Sequence, residues 1–193
     1  MDVPELKQIA CAAIDHAAAQ LIAFGEDIRH HPELGYREQR TSGKVLESFQ
    51  ALGLQNITRP ARTGVKGWLP SGGSAVSVAV IGEMDAVLSP LHPQADPHTG
   101  AAHACGHNAQ LTALLGTITG LKAVSRYLSG RICFIAAPAE EYVEIGWRNT
   151  LRQQGELEYL GGKQQLISEG AFHDIDMALM VHIETDTEGA HIV

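Results

Sequence analysis

Val76 to Ile81 (VSVAVI) is a short run that is apolar on both faces, and it constrains the fold more than any other segment. A strand wet on one side alternates apolar with polar residues; one without that alternation is covered on both sides, as in a sheet flanked by helices. Two comparable runs follow, Ile132 to Ala137 (ICFIAA) and Met177 to Ile183 (MALMVHI), with helical patterns between them. Apolar spacing at Leu6, Ile9, Ala10, Ala13, Ile14, Ala17 and Leu21 predicts a helix from Pro4 to about His30, closing before Pro32. A second helix is predicted from Glu38 to Leu52, with Thr41 or Ser42 near its start and Gly53 as its stop. A third, buried one runs from Ala109 to Val124, and a Gln/Glu-rich helical stretch breaks at Gly161-Gly162. Val65 to Leu69, a turn at Pro70 to Gly73, and Val76 to Ile81 read as strand, turn and strand. Ser89 to Gly100 holds three prolines and no periodicity, so it reads as a loop. Strands alternating with helices imply an α/β architecture with a mostly parallel sheet flanked by helices.

At 193 residues the chain is most simply one domain with a sizeable core. A net charge of -8, from 22 acidic against 14 basic residues, disfavours a nucleic-acid partner. No apolar run reaches membrane-spanning length, and Met1-Asp2-Val3-Pro4-Glu5 lacks the basic start of a signal peptide. Three cysteines give no disulfide framework, so a cytoplasmic location is expected. Cys11 and Cys133 lie in apolar runs and are expected in the core; His30, His31 and Glu33 are expected to close the first helix. His92, His98, His173 and His191 read as surface residues.

The chemistry gathers at strand ends. VSVAVI runs into Gly82-Glu83-Met84-Asp85, ICFIAA into Pro138-Ala139-Glu140-Glu141, and MALMV into His182. His103-Ala104-Cys105-Gly106-His107-Asn108 lies just before the third helix. In a parallel sheet such ends share one edge, the edge where ligands bind. Cys105 and His107 are a thiol and an imidazole suited to zinc, but residues two apart point ~200° around a helix. Both reach one ion only if the backbone turns, and Gly106 supplies that freedom. Adjacent Glu140 and Glu141 allow one carboxylate to ligate while its neighbour moves a proton. Each residue also has a plainer reading. Cys105 could be a buried thiol, Glu140-Glu141 a solvated helix start, His182 a satisfied core histidine, and Asp85 a loop cap.

Taken in order, these motifs resemble the M20 peptidase and amidohydrolase family, in its branch of N-acyl-amino-acid, indole-acetyl-amino-acid and aminobenzoyl-glutamate hydrolases. Arg29-His30-His31-Pro32-Glu33-Leu34-Gly35 through Glu38 resembles that branch's N-terminal signature, and Glu83-Met84-Asp85-Ala86 its acidic strand-end motif. The resemblance implies a zinc-peptidase-like (phosphorylase/hydrolase-like) catalytic domain, C-terminally incomplete. Residues 1–193 would be its first part, lacking the lid or dimerisation domain and the returning segment with one more metal-binding histidine. It also implies two divalent ions, zinc or manganese, held by Cys105 (bridging), His107, Glu141 and His182. Glu140 would be the general acid/base and Asp85 the acid that orients a ligand. The implied reaction is hydrolysis, by metal-activated water, of the amide between an acyl group and an amino acid. The implied substrate is a small N-acyl amino acid or dipeptide-like molecule, with no nucleic-acid or membrane partner and a homo-oligomeric full-length enzyme. Many branch members read Cys-Gly-His-Asp-x-His where this chain has Asn108 and Gln110, which shifts the substrate expectation toward the aminobenzoyl-glutamate subgroup. Two alternatives stand beside this reading: a catalytically incompetent metal-binding or interaction domain, and a mononuclear zinc hydrolase built on Cys105, His107 and His182.

Overall fold

The computed structural model describes residues 1–71, 73 and 76–183. Helix α1 (Val3–Arg29) opens on a capping box, in which Asp2 accepts from the Glu5 amide and Glu5 from the Asp2 amide, each at 2.9 Å. It closes where His30 and His31 set Nδ1 2.7 Å from the Glu26 and Asp27 carbonyls, as expected of them. Helix α2 (Gln39–Leu52) is capped from outside rather than by Thr41 or Ser42. The Glu33 carboxylate accepts from the Arg40 and Thr41 amides at 3.0 and 2.7 Å, and Gly53 ends the helix at φ 82°.

The chain continues through β1 (Gln55–Thr58), β2 (Val65–Trp68), β3 (Ser77–Glu83) and the short pair β4 (Val87–Leu88) and β5 (Ala101–Ala102) that brackets the proline-rich loop. Next come α3 (His107–Val124), β6 (Arg131–Ala137), α4 (Ile145–Gln153), α5 (Gly162–Ser168) and β7 (Met177–Met180). The five-stranded sheet has the order β1-β2-β6-β3-β7. Strands β6, β3 and β7 are parallel, whereas β2 runs antiparallel to β6 and β1 antiparallel to β2. The α/β architecture is the expected one, and its parallel part is the part that carries the chemistry. β2 and β3 do not pair, because β6 inserts between them; the turn at 70–73 lies partly outside the described residues. β1 (QNIT) is polar and mostly exposed at the sheet edge, so it leaves little periodic signal.

The period-2 pleat divides β6 between two cores. Phe134 and Ala136 face α1, α2 and α3 with Ile28, Phe49, Leu111 and Ile118, while Cys133, Ile135 and Ala137 face Leu166 of α5. Cys133 is buried as expected, whereas Cys11 is exposed, because only one stripe of α1 meets α3 and Cys11 lies off it. That stripe is close-packed: a Cβ on Gly120 would stand 3.0 Å from Ile14 Cδ1 and 3.2 Å from the Ala10 carbonyl. His98 and His173 are exposed and His92 half-buried; His191 lies outside the described residues. The strand expected over Met177 to Ile183 is shorter, four residues, and exposed along its whole length. No helix among the described residues is long and apolar enough to cross a membrane.

Candidate metal centre

Parallel strands bring their C-terminal ends to one edge, and the site lies there. β3 ends on Glu83, β6 runs into Pro138 to Glu141, β7 runs into His182, and α3 starts at His107. Gly106, at φ 89°, turns the backbone between Cys105 and His107, so the thiol precedes the helix while the imidazole occupies its first position. Cys105 Sγ lies 3.4 Å from His182 Nε2, and the His107 and His182 rings meet edge to face at 5.6 Å. Cys105, His107 and His182 thus offer three donor atoms within 4.8 Å of one another. A second group of that compactness joins His107 to Glu83 and Glu140.

His107 is the pivot. Its buried Nδ1 is 2.7 Å from the Asp85 carbonyl and 3.4 Å from Asp85 Oδ1, which turns Nε2 toward both groups. Nε2 lies 3.1 Å from Glu83 Oε2 and 4.0 Å from Glu140 Oε2, yet no hydrogen bond aligns with it. Glu83, 1% exposed, meets the Lys163 ammonium at Oε1 and has no aligned partner at Oε2 among the described residues. Buried lone pairs left over on an imidazole and a carboxylate, beside a thiol and a second imidazole, match the donor chemistry of a divalent d-block ion. Nδ1 fixed on Asp85 with Nε2 presented is also the orientation in which a ligating histidine is held by its surroundings.

The electrostatics are those of a cation trap. Burial disfavours the charged form of His107, but the neighbouring Asp85 and Glu83 carboxylates outweigh that and lift its pKa to about 10. Glu83 is pushed up by burial, yet His107 and Lys163 more than compensate and hold it at about 2. Burial, then Glu141, Glu140 and Glu83, raise the Cys105 thiol to about 12. A cation reverses that last effect, because a coordinated thiol gives up its proton. Burial and then the charge of Glu83 raise the Glu140 carboxyl.

The expected site residues fall differently around this pivot. Cys105, His107, His182 and Glu140 enter the donor groups, and His182 is exposed rather than a core histidine. Asp85 stands behind His107, and its Oδ2 also accepts from the Glu141 amide at 2.9 Å. The Glu141 carboxylate neighbours the Cys105 thiol but joins neither donor group among the described residues. Sequence reasoning left Glu83 without a role, although its place as the last residue of a buried strand was a usable signal. It missed Lys163, whose ammonium touches Glu83 Oε1 and lies 3.8 Å from Glu140 Oε1; nothing local marks that lysine. Gln110 ties the ends of β3 and β7 together, accepting from the Glu83 amide at 2.9 Å and donating to the Val181 carbonyl at 2.6 Å. Asn108 donates to the Gly25 carbonyl at 3.3 Å, away from the donor groups.

The mixed sheet thus carries at its parallel edge a thiol, imidazole and carboxylate cluster, a donor set suited to divalent d-block ions. Residues 79–193, more than half of the chain, match peptidase family M20/M25/M40, and the chain belongs to that family. It is similar to N-acyl-L-amino acid amidohydrolase of Geobacillus stearothermophilus, with 26% identity over 100% of this chain and 47% of the relative. It is also similar to IAA-amino acid hydrolase ILR1-like 6 of Arabidopsis thaliana, with 31% identity over 81% of this chain and 30% of the relative. The fold is shared with the YXEP protein of Bacillus subtilis, a dinuclear metal binding peptidase from the M20 family, at a TM-score of 0.71. Identity there is 23%, over 87% of this chain and 44% of the other. The aminobenzoyl-glutamate utilization protein from Klebsiella pneumoniae has the same fold at a TM-score of 0.60 and 20% identity, over 86% and 43% of the two chains. The chain spans less than half the length of each of these four.

Proposed function

We propose that this chain contributes the donor edge of an enzyme that hydrolyses the amide bond between an acyl group and an amino acid. The observation that carries the reading is His107, with Nδ1 tied to Asp85 and a buried, unpartnered Nε2 turned toward Cys105, His182, Glu83 and Glu140. Cys105, His107, His182 and Glu141 would hold two divalent ions, zinc or manganese, with Glu83 added to the set. When bound, the ions supply a Lewis acid for the amide carbonyl and acidify water. The rest is the work of the chain. Asp85 keeps the imidazole in register. Glu140, whose side chain is 35% exposed beside the almost sealed Glu83, can reach solvent. It takes the proton of the attacking water and delivers it to the leaving amine.

The small-molecule substrate is an N-acyl amino acid, of aminobenzoyl-glutamate type where Asn108 and Gln110 follow the Cys-Gly-His turn. A cytoplasmic, homo-oligomeric enzyme completes the reading; three unpaired cysteines suit a reducing compartment. The test is Glu140→Gln in any preparation that turns substrate over. Metal content by mass spectrometry should be retained while hydrolysis of an N-acyl amino acid falls about 10²- to 10⁴-fold. Unchanged turnover would remove Glu140 from the mechanism. A single-ion zinc site is the second reading, favoured by the compactness of Cys105, His107 and His182; two ions in anomalous scattering exclude it.

A further inference from the structure

His182 is the donor that the fold holds least. It follows β7, a strand exposed along its whole length, and its own side chain is 42% exposed. The pairing of β3 with β7 runs from Val78–Met177 to Ile81–Met180 and stops there, short of His182. Gln110 takes over at that point. Three residues after His107 in α3, and 3% exposed, it accepts from the Glu83 amide at 2.9 Å and donates to the Val181 carbonyl at 2.6 Å. A side-chain amide carries the donor and the acceptor of a peptide unit, so it continues the ladder where backbone pairing has ended. Its second contact falls on the residue just before His182. On the other side Ile183 rests against Gly106, where an added Cβ would stand 2.7 Å from Ile183 Cδ1. His182 is thus held between two ties, and both lead back to the turn and helix that carry Cys105 and His107.

We propose that Gln110 is a positioning residue of the metal centre: by tying the end of β7 to the end of β3, it sets His182 within reach of an ion on Cys105 and His107. This rests on the metal reading above and adds to it the residue that brings the most exposed donor into place. A donor at a loose strand end loses freedom when it binds, and a tie already made removes part of that cost. Gln110 itself touches neither the ion nor the substrate.

Zinc titrated by calorimetry into the 193-residue chain and into Gln110→Met, which keeps the length of the side chain without its amide, tests the idea. The variant should bind zinc about 10- to 100-fold more weakly. In the His182→Ala background the same substitution should change zinc affinity by no more than about twofold, because the donor it positions is gone. Unchanged affinity in Gln110→Met, or an equal loss with and without His182, overturns the proposal and leaves the metal centre standing. A parent chain that binds no zinc overturns both. A measurement on the parent covers a variant that fails to fold or to bind. Coupling is reciprocal, so zinc should slow deuterium exchange at the Glu83 amide, whose acceptor is Gln110 Oε1, about tenfold or more relative to the β2 amides. Unchanged or faster exchange refutes the tie.

Discussion

Glu38 is completely buried, with the Thr63 hydroxyl donating at 2.7 Å and the Ala139 amide at 2.8 Å. Burial, foremost, and then the charge of Asp85 raise its carboxyl to about 8 from 4.5. The sign follows from the proton count: between those pH values the folded protein keeps a proton that the unfolded chain has lost. Stability from this group is complete below pH 4.5 and falls as pH rises toward 8, by at most about 1.4 kcal/mol per pH step. Glu38→Gln keeps an acceptor for the Ala139 amide and cannot ionise. Urea midpoints from pH 5 to 8 should therefore fall less steeply for the variant than for the parent. Equal slopes would show that Glu38 does not titrate there. In the sequence Glu38 reads as a helix start and as the last residue of the Arg29-to-Glu38 signature, with nothing to mark it as buried. Its burial is set by a partner 101 residues away, and no periodicity reports such a contact. The same carboxylate pins Ala139, at φ 50°, directly before Glu140.

At the scale of elements, α5 delivers Lys163, and Gly162 delivers α5. A Cβ on Gly162 would collide with the Pro138 carbonyl, and the Gly162 amide donates to the Ala139 carbonyl at 3.0 Å. The helix start and the end of β6 therefore meet backbone to backbone. Gly162→Ala must push them apart and should cost about 1–3 kcal/mol in a denaturant melt. Gly146→Ala in α4, where a Cβ meets nothing within 4 Å, should be neutral or stabilise by up to about 1 kcal/mol. Equal effects at the two glycines would show that the close approach carries no strain. The Gly161-Gly162 pair is legible in the sequence as a break in a helical stretch. The break proves to be a helix beginning and a contact point, because a glycine pair records that a side chain is missing without recording what takes its place. α3 and the C-terminal stop of α2 were legible to within two residues, since the apolar period and the Gly53 stop are local signals.

For the whole molecule, β7 is the weak flank. Among the described residues it pairs with β3 on one side only, and Met177, Leu179, Val181 and Ile183 are each more than half exposed. An apolar edge that no described strand covers invites a further strand. The 193-residue chain should associate as its concentration rises, and Leu179→Lys should suppress this, as read by sedimentation velocity. A parent chain that stays monomeric across the range would show that the edge is protected. The sequence by itself determined the principal helices, the runs that become β2, β3, β6 and β7, and the fact that the polar clusters follow parallel strands. Apolar periodicity and turn residues act over a few positions, so a single chain displays them. Only the tertiary structure decided that β6 lies between β2 and β3. It alone set Cys105 against His182, 77 residues away, and brought the ammonium of Lys163 onto Glu83. Those choices depend on register and packing between distant segments, and on a local field that exists only once carboxylates, thiol, imidazoles and ammonium share the same buried edge.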